Sequence, residues 1–93
     1  MILSPKILIV EDEILIADYL KELLQQEHFT AIKLAHDKDE ALALMQSFLP
    51  DIILMDINLH GENTGIELVK QKNDNASVIY LTGQSDAGLM IRA

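Results

Sequence analysis

Residues Lys6 to Glu13 read KILIVEDE. Four apolar residues, Ile7 to Val10, run directly into three acids, Glu11, Asp12 and Glu13. A short continuous apolar run rich in β-branched residues fits a strand buried on both faces, as in a parallel sheet. The acids at its exit pose the chemical problem, because like charges this close repel one another. Something has to compensate them.

Downstream, EILIADYLKELLQQEHF sets Ile16, Leu20, Leu23 and Leu24 at helical spacing, with Asp18, Lys21, Glu22 and Gln25 between them. That pattern predicts a helix from about Glu13 to Glu27. Thr30 to Ala35 (TAIKLA) reads as a second strand. In DKDEALALMQSF, Asp37 can cap a helix and Glu40 completes a capping-box-like pattern. Ala41, Leu44, Met45 and Phe48 form its apolar stripe, and Pro50 follows the stop. Asp51 to Met55 (DIILM) is a third strand and delivers the chain to Asp56. INLHGENTG reads as a loop, and a short helix is expected over about Thr64 to Lys72. Ser77 to Thr82 (SVIYLT) is a fourth strand, and SDAGLMIRA reads as the start of another helix.

Strands alternating with helices predict an α/β fold: a parallel sheet with right-handed crossovers and helices on both faces. Open sheets of this kind bind ligands at the carboxyl ends of their strands, near the switch in strand order. A doubly wound order 2-1-3-4 sets strands one, three and four side by side, about 4.8 Å apart. Asp12, Asp56 and Thr82 then meet at one rim.

Composition narrows the possibilities. The 93 residues make one domain, with 49% apolar residues and a formal charge of −8. That balance argues against gripping nucleic acid, which needs a basic face. It suits a protein that binds a cation or meets a basic partner. With no cysteine, disulfides and thiolate metal sites are excluded, and a reducing cytoplasm is the simple expectation. No apolar run approaches the roughly 18 residues of a membrane span. Glu11, Asp12 and Asp56 converging at one rim would raise one another's pKa values unless a cation joined them. Mg²⁺ prefers oxygen ligands, takes few protein carboxylates and keeps positions open for water and phosphate. The acids therefore look like a metal cup.

ILIVEDE, DIILMDINL and VIYLTGQSD resemble the first, third and fourth strand motifs of response-regulator receiver domains of two-component signalling. The resemblance runs over the whole chain, in the family's order. It implies a flavodoxin-like doubly wound sheet and a phosphoacceptor that takes a phosphoryl group from a sensor histidine kinase or phosphotransfer protein. By this resemblance Asp56 is the phosphoacceptor. Asp12 binds Mg²⁺ directly and Glu11 mainly through water, while the main-chain carbonyl of Asn58 is a further ligand. Thr82 contacts the phosphate and switches on activation, and Gly83 leaves room there. The protein is then no enzyme beyond self-catalysed phosphorylation and dephosphorylation.

The sequence departs from the family pattern in two places. His60 stands where the loop after the acceptor usually has Pro, and Gly65 lies one residue later than the usual loop glycine. The fifth strand, with its phosphate-binding Lys, and the fifth helix are also missing from residues 1–93. The chain is thus expected to be one receiver domain of four βα units without its C-terminal part. It is expected to expose strand four as an edge and to self-associate through that edge or by exchange of its C-terminal helix. Two other readings stand beside this one. A phosphorylation-independent interaction module fits the missing Lys. A Mg²⁺-dependent phosphohydrolase with an Asp nucleophile is disfavoured, since Asn58 stands where its second acid usually lies. His28, His36 and His60 read as exposed loop residues, and Glu13 as a residue favoured at a helix start.

Overall fold

The computed structural model describes residues 4–56, 76–84 and 88–92. Within them lie β1 (Ile7–Val10), α1 (Ile14–Gln26), β2 (Ile32–Ala35), α2 (Lys38–Ser47), β3 (Ile52–Asp56), β4 (Ser77–Gln84) and β5 (Gly88–Arg92). They form a five-stranded sheet in the order β2-β1-β3-β4-β5. β1 pairs in parallel with both β2 and β3, and β3 pairs in parallel with β4. The expected doubly wound order 2-1-3-4 is present.

The central position of β1 explains its composition. All four of its residues are buried. Successive side chains point to opposite faces, so Leu8 and Val10 join Ala41, Met45, Ile53 and Met55 on the α2 side. Ile7 and Ile9 join Leu20, Ile32, Leu54 and Leu81 on the α1 side. Each face of the sheet thus has its own core. On α1 the buried stripe is narrower than periodicity suggests: Ala17 and Leu20 are buried, while Leu23 is 39% exposed.

The helix ends are built from ordinary side chains. Asp37 caps α2, its Oδ1 accepting the Glu40 N–H at 2.8 Å. Glu40 Oε1 reaches back to accept the His36 N–H at 3.1 Å, one residue before the cap itself. α1 closes without glycine. His28 takes φ 71°, the His28 N–H donates to the Gln25 carbonyl, and the Phe29 N–H donates to the Leu24 carbonyl. This paired closure satisfies orphan carbonyls at the helix end, and Leu24 and Phe29 both pack on the α1-side core. Asp51 ties the sheet together at its other end. Its Oδ2 accepts the Lys6 N–H at 2.8 Å, and its carbonyl accepts the Ser77 N–H at 2.9 Å.

The C-terminal segment differs from the sequence reading. Gly88–Arg92 is not the start of a helix but strand β5, antiparallel to β4, with Thr82 level with Met90 and Gly83 level with Leu89. The β4 edge expected to lie bare is covered by the chain's own return, so self-association through an unpaired strand four loses its premise. Two physical reasons favour the strand. An unpaired edge leaves a row of backbone groups without partners. Gly88 and β-branched Ile91 are also poor helix formers. The expected helix over Thr64 to Lys72 lies outside the described residues.

Candidate functional site

The sheet register builds the site. Val10 is level with Met55 in the β1–β3 pair, so one step further along each strand brings Glu11 beside Asp56. Asp56 in turn is level with Leu81 on β4, which places the backbone of Thr82 one step beyond it. The carboxylates of Glu11, Asp12 and Asp56 each place an oxygen within 4.8 Å of the others. Asp12 and Asp56 are half-buried, while Glu11 is 3% exposed and is the one buried charged residue among the described residues. Asn58, His60 and Gly65 lie outside the described residues.

The three acids differ in their surroundings. The Glu11 N–H donates to the Ala35 carbonyl at 2.9 Å, continuing the β1–β2 ladder past the last strand pair. The Glu11 side chain turns back so that Oε2 accepts the Glu13 N–H at 3.2 Å. Glu13 is the N-cap of α1, yet its own side chain makes no capping bond. The Glu11 carboxyl therefore satisfies the backbone N–H of the N-cap residue itself. Burial, above all, pushes the Glu11 carboxyl from 4.5 up to about 8. A hydrogen bond with Asp12 and the negative charges of Asp56 and Asp12 push the same way, and the Glu13 N–H opposes them. Sequence reasoning missed one further group. His36 is half-buried rather than an exposed loop residue, and its Nδ1 lies 3.2 Å from the Glu11 carbonyl oxygen.

This arrangement suits a hard cation. The cluster offers only oxygen donors, carries an excess of negative charge and holds a carboxyl that burial and the neighbouring acids keep from ionising. It also predicts a pH dependence. In the metal-free protein the folded state keeps the Glu11 proton up to about pH 8, whereas the unfolded chain releases it near 4.5. The folded state thus binds more protons across that window, and stability falls as pH rises through it. Glu11→Gln keeps an acceptor for the Glu13 N–H but cannot ionise. Urea midpoints of the two proteins are expected to agree near pH 4 and to diverge toward pH 8, with the glutamine variant more stable. Parallel profiles would place the shifted proton elsewhere.

Fold and rim together define a doubly wound α/β module with an acidic, oxygen-only cluster at the carboxyl ends of β1 and β3. The family model described as the response regulator receiver domain matches residues 7–93, and the chain belongs to that family. It is 33% identical over 85 residues to the aerobic respiration control protein ArcA of Escherichia coli K12, covering 89% of this chain and 35% of ArcA. It is 37% identical over 81 residues to the transcriptional regulatory protein CpxR of Klebsiella pneumoniae, covering 85% of this chain and 34% of CpxR. Among solved structures, the response regulator PhyR from Brucella abortus superposes with a TM-score of 0.74 at 31% identity, over 84% of this chain and 33% of PhyR. The chain spans about a third of the length of these relatives. No helix among the described residues is long and apolar enough to cross a membrane.

Proposed function

We propose that this chain is a phosphoacceptor. Asp56 takes a phosphoryl group from a phosphohistidine on a sensor kinase or phosphotransfer protein, with Mg²⁺ held by Asp12, Asp56 and the Asn58 main-chain carbonyl, and by Glu11 mainly through water. The observation that carries this reading is the meeting of Glu11, Asp12 and Asp56 within 4.8 Å, in a chain of the receiver family. An Asp56 carboxylate oxygen attacks phosphorus, the P–O bond forms, the P–N bond to the donor imidazole breaks, and the imidazole leaves. The product is an acyl phosphate on Asp56. Phosphoryl transfer asks mainly for positioning and charge neutralisation. β3 supplies the first by presenting Asp56 at a strand end beside β1. Mg²⁺ bound by Glu11, Asp12 and Asp56 would supply the second, by offsetting negative charge at the site.

Thr82 follows as the phosphate contact and switch, since its backbone lies one step beyond the residue level with Asp56. The protein works as a signalling module rather than a turnover enzyme, in the cytoplasm, and its output lies with other segments or partners. Incubation with a small phosphodonor such as acetyl phosphate tests the reading. The expected result is a label that needs Mg²⁺, is lost with a chelator and is released by hydroxylamine, as an acyl phosphate is. A label indifferent to Mg²⁺ or stable to hydroxylamine would overturn it. Failure of the chain to label, when it binds Mg²⁺, would favour the phosphorylation-independent module instead.

A further inference from the structure

The β1–β2 register runs Ile7↔Ile32, Leu8↔Lys33, Ile9↔Leu34, Val10↔Ala35. Extended by one step, it would set Glu11 against His36. In a parallel ladder, the residue that donates its N–H to one neighbour receives a bond at its carbonyl from the residue two further along the same strand. Glu11 donates to the Ala35 carbonyl at 2.9 Å, so the next bond would come from the backbone of Asp37. There the chain instead turns into α2, with Asp37 as its N-cap. The imidazole of His36 takes over that place, with Nδ1 at 3.2 Å from the Glu11 carbonyl oxygen.

A carbonyl oxygen only accepts, so this contact is a hydrogen bond only when Nδ1 carries a proton. The contact therefore calls for a proton on Nδ1 of His36, as the Nδ1–H tautomer supplies. The residue is held from both sides: its backbone N–H donates to Glu40 Oε1 at 3.1 Å, and its ring grips Glu11. Glu40 is in turn bound to the Asp37 cap at 2.8 Å. The start of α2 and the exit of β1 are thus connected through one side chain.

We infer that His36 is a positioning residue for the acidic cluster, its Nδ1–H holding the Glu11 peptide in the orientation that presents Glu11 and Asp12 beside Asp56. The inference rests on the metal-assisted reading above. Orientation at Glu11 matters because that peptide leads directly to Asp12, and a small rotation there swings the Asp12 carboxylate out of the cluster. Groups that orient metal-binding side chains through hydrogen bonds carry roughly ten- to a hundredfold in metal affinity. Since His36 acts through the main chain, the lower end of that range applies.

The test compares the full chain with His36→Ala, His36→Phe and His36→Asn, using Mg²⁺ itself as probe. Phe keeps the ring volume without a donor. Asn places an amide N–H close to where Nδ1 stood. Calorimetric titration is expected to show Mg²⁺ affinity about tenfold weaker in the Ala and Phe variants, with Asn restoring most of it. Thermal melts without Mg²⁺ run alongside. A merely structural histidine would lower the melting midpoint and leave the affinity of the folded protein unchanged. Nitrogen spectra of the metal-free wild type provide a second readout and are expected to show the Nδ1–H form. An Nε2–H tautomer, or full affinity in His36→Phe, overturns the role of His36 alone. A wild type whose amide signals at residues 11–13 and 56 ignore Mg²⁺ overturns the metal reading and this inference together.

Discussion

Asp56→Asn is expected to carry no phosphoryl label from acetyl phosphate or from a kinase, under conditions where the unaltered chain is labelled. An amide has neither the negative charge nor the free oxygen nucleophile the step requires. The usual objection, that a variant loses function by losing its fold, runs the other way here. Asp56 is one of the charges that push the Glu11 carboxyl upward. Removing it relieves a like-charge conflict, so the melting midpoint of the variant is expected to stay level or rise. Loss of label with an unchanged or raised midpoint thus assigns the chemistry to Asp56. Label that survives the substitution would move the acceptor to another residue. Asp12→Ala complements this change by leaving the nucleophile in place. It is expected to abolish Mg²⁺-induced shifts at residues 11–13 and 56, and the Mg²⁺-dependent label with them.

The second large effect is on stability. Leu8→Ala and Leu15→Ala delete the same atoms from very different places. Leu8 is fully buried on the α2 side, whereas Leu15 is 84% exposed on α1. A buried Leu→Ala costs about 2–5 kcal/mol, because the lost transfer energy is joined by a residual cavity. For a domain of this size each kcal/mol moves the melting midpoint by about 4–8 °C. Leu8→Ala is therefore expected to melt roughly 10 °C or more below the parent. Leu15→Ala is expected to stay within about 0.5 kcal/mol of it. Leu8 also shares its core with Val10, Ile53 and Met55, the residues that carry β1 and β3 up to Glu11 and Asp56. Its loss is thus expected to weaken Mg²⁺ binding as well, which titration of the folded variant at low temperature would check. Equal melting shifts for the two variants would mean that β1 is not the centre of the core.

The acid rim was legible because a strand is a straight device. Once Ile7–Val10 and Ile52–Met55 are known to lie side by side in a parallel sheet, the residues that follow each must share an edge. No long-range calculation is needed to bring Glu11 and Asp12 near Asp56. The capping of α2 was legible for a similar reason: Asp37 and Glu40 interact within one helical turn, and local chemistry travels with local sequence. The broad division into two cores also follows from alternation along the strands.

Three features were decided only by the tertiary structure. SDAGLMIRA reads as a helix start by its place in the βα alternation, but the open edge of β4 offers Gly88–Arg92 a full set of backbone partners, and the edge prevails. Leu23 has the spacing of a core residue, yet it lies at the margin of the face that α1 turns to the sheet, with Ala17 and Leu20 buried there. His36 looks like one loop histidine among three. Its significance depends on β2 ending one residue short of it, so that an imidazole replaces a backbone donor at the Glu11 carbonyl. Periodicity and motif report what a residue can do, but where a ladder stops is set by the neighbouring strand and by the helix that follows. That competition between distant segments decides which polar groups at a strand end remain to be satisfied by side chains.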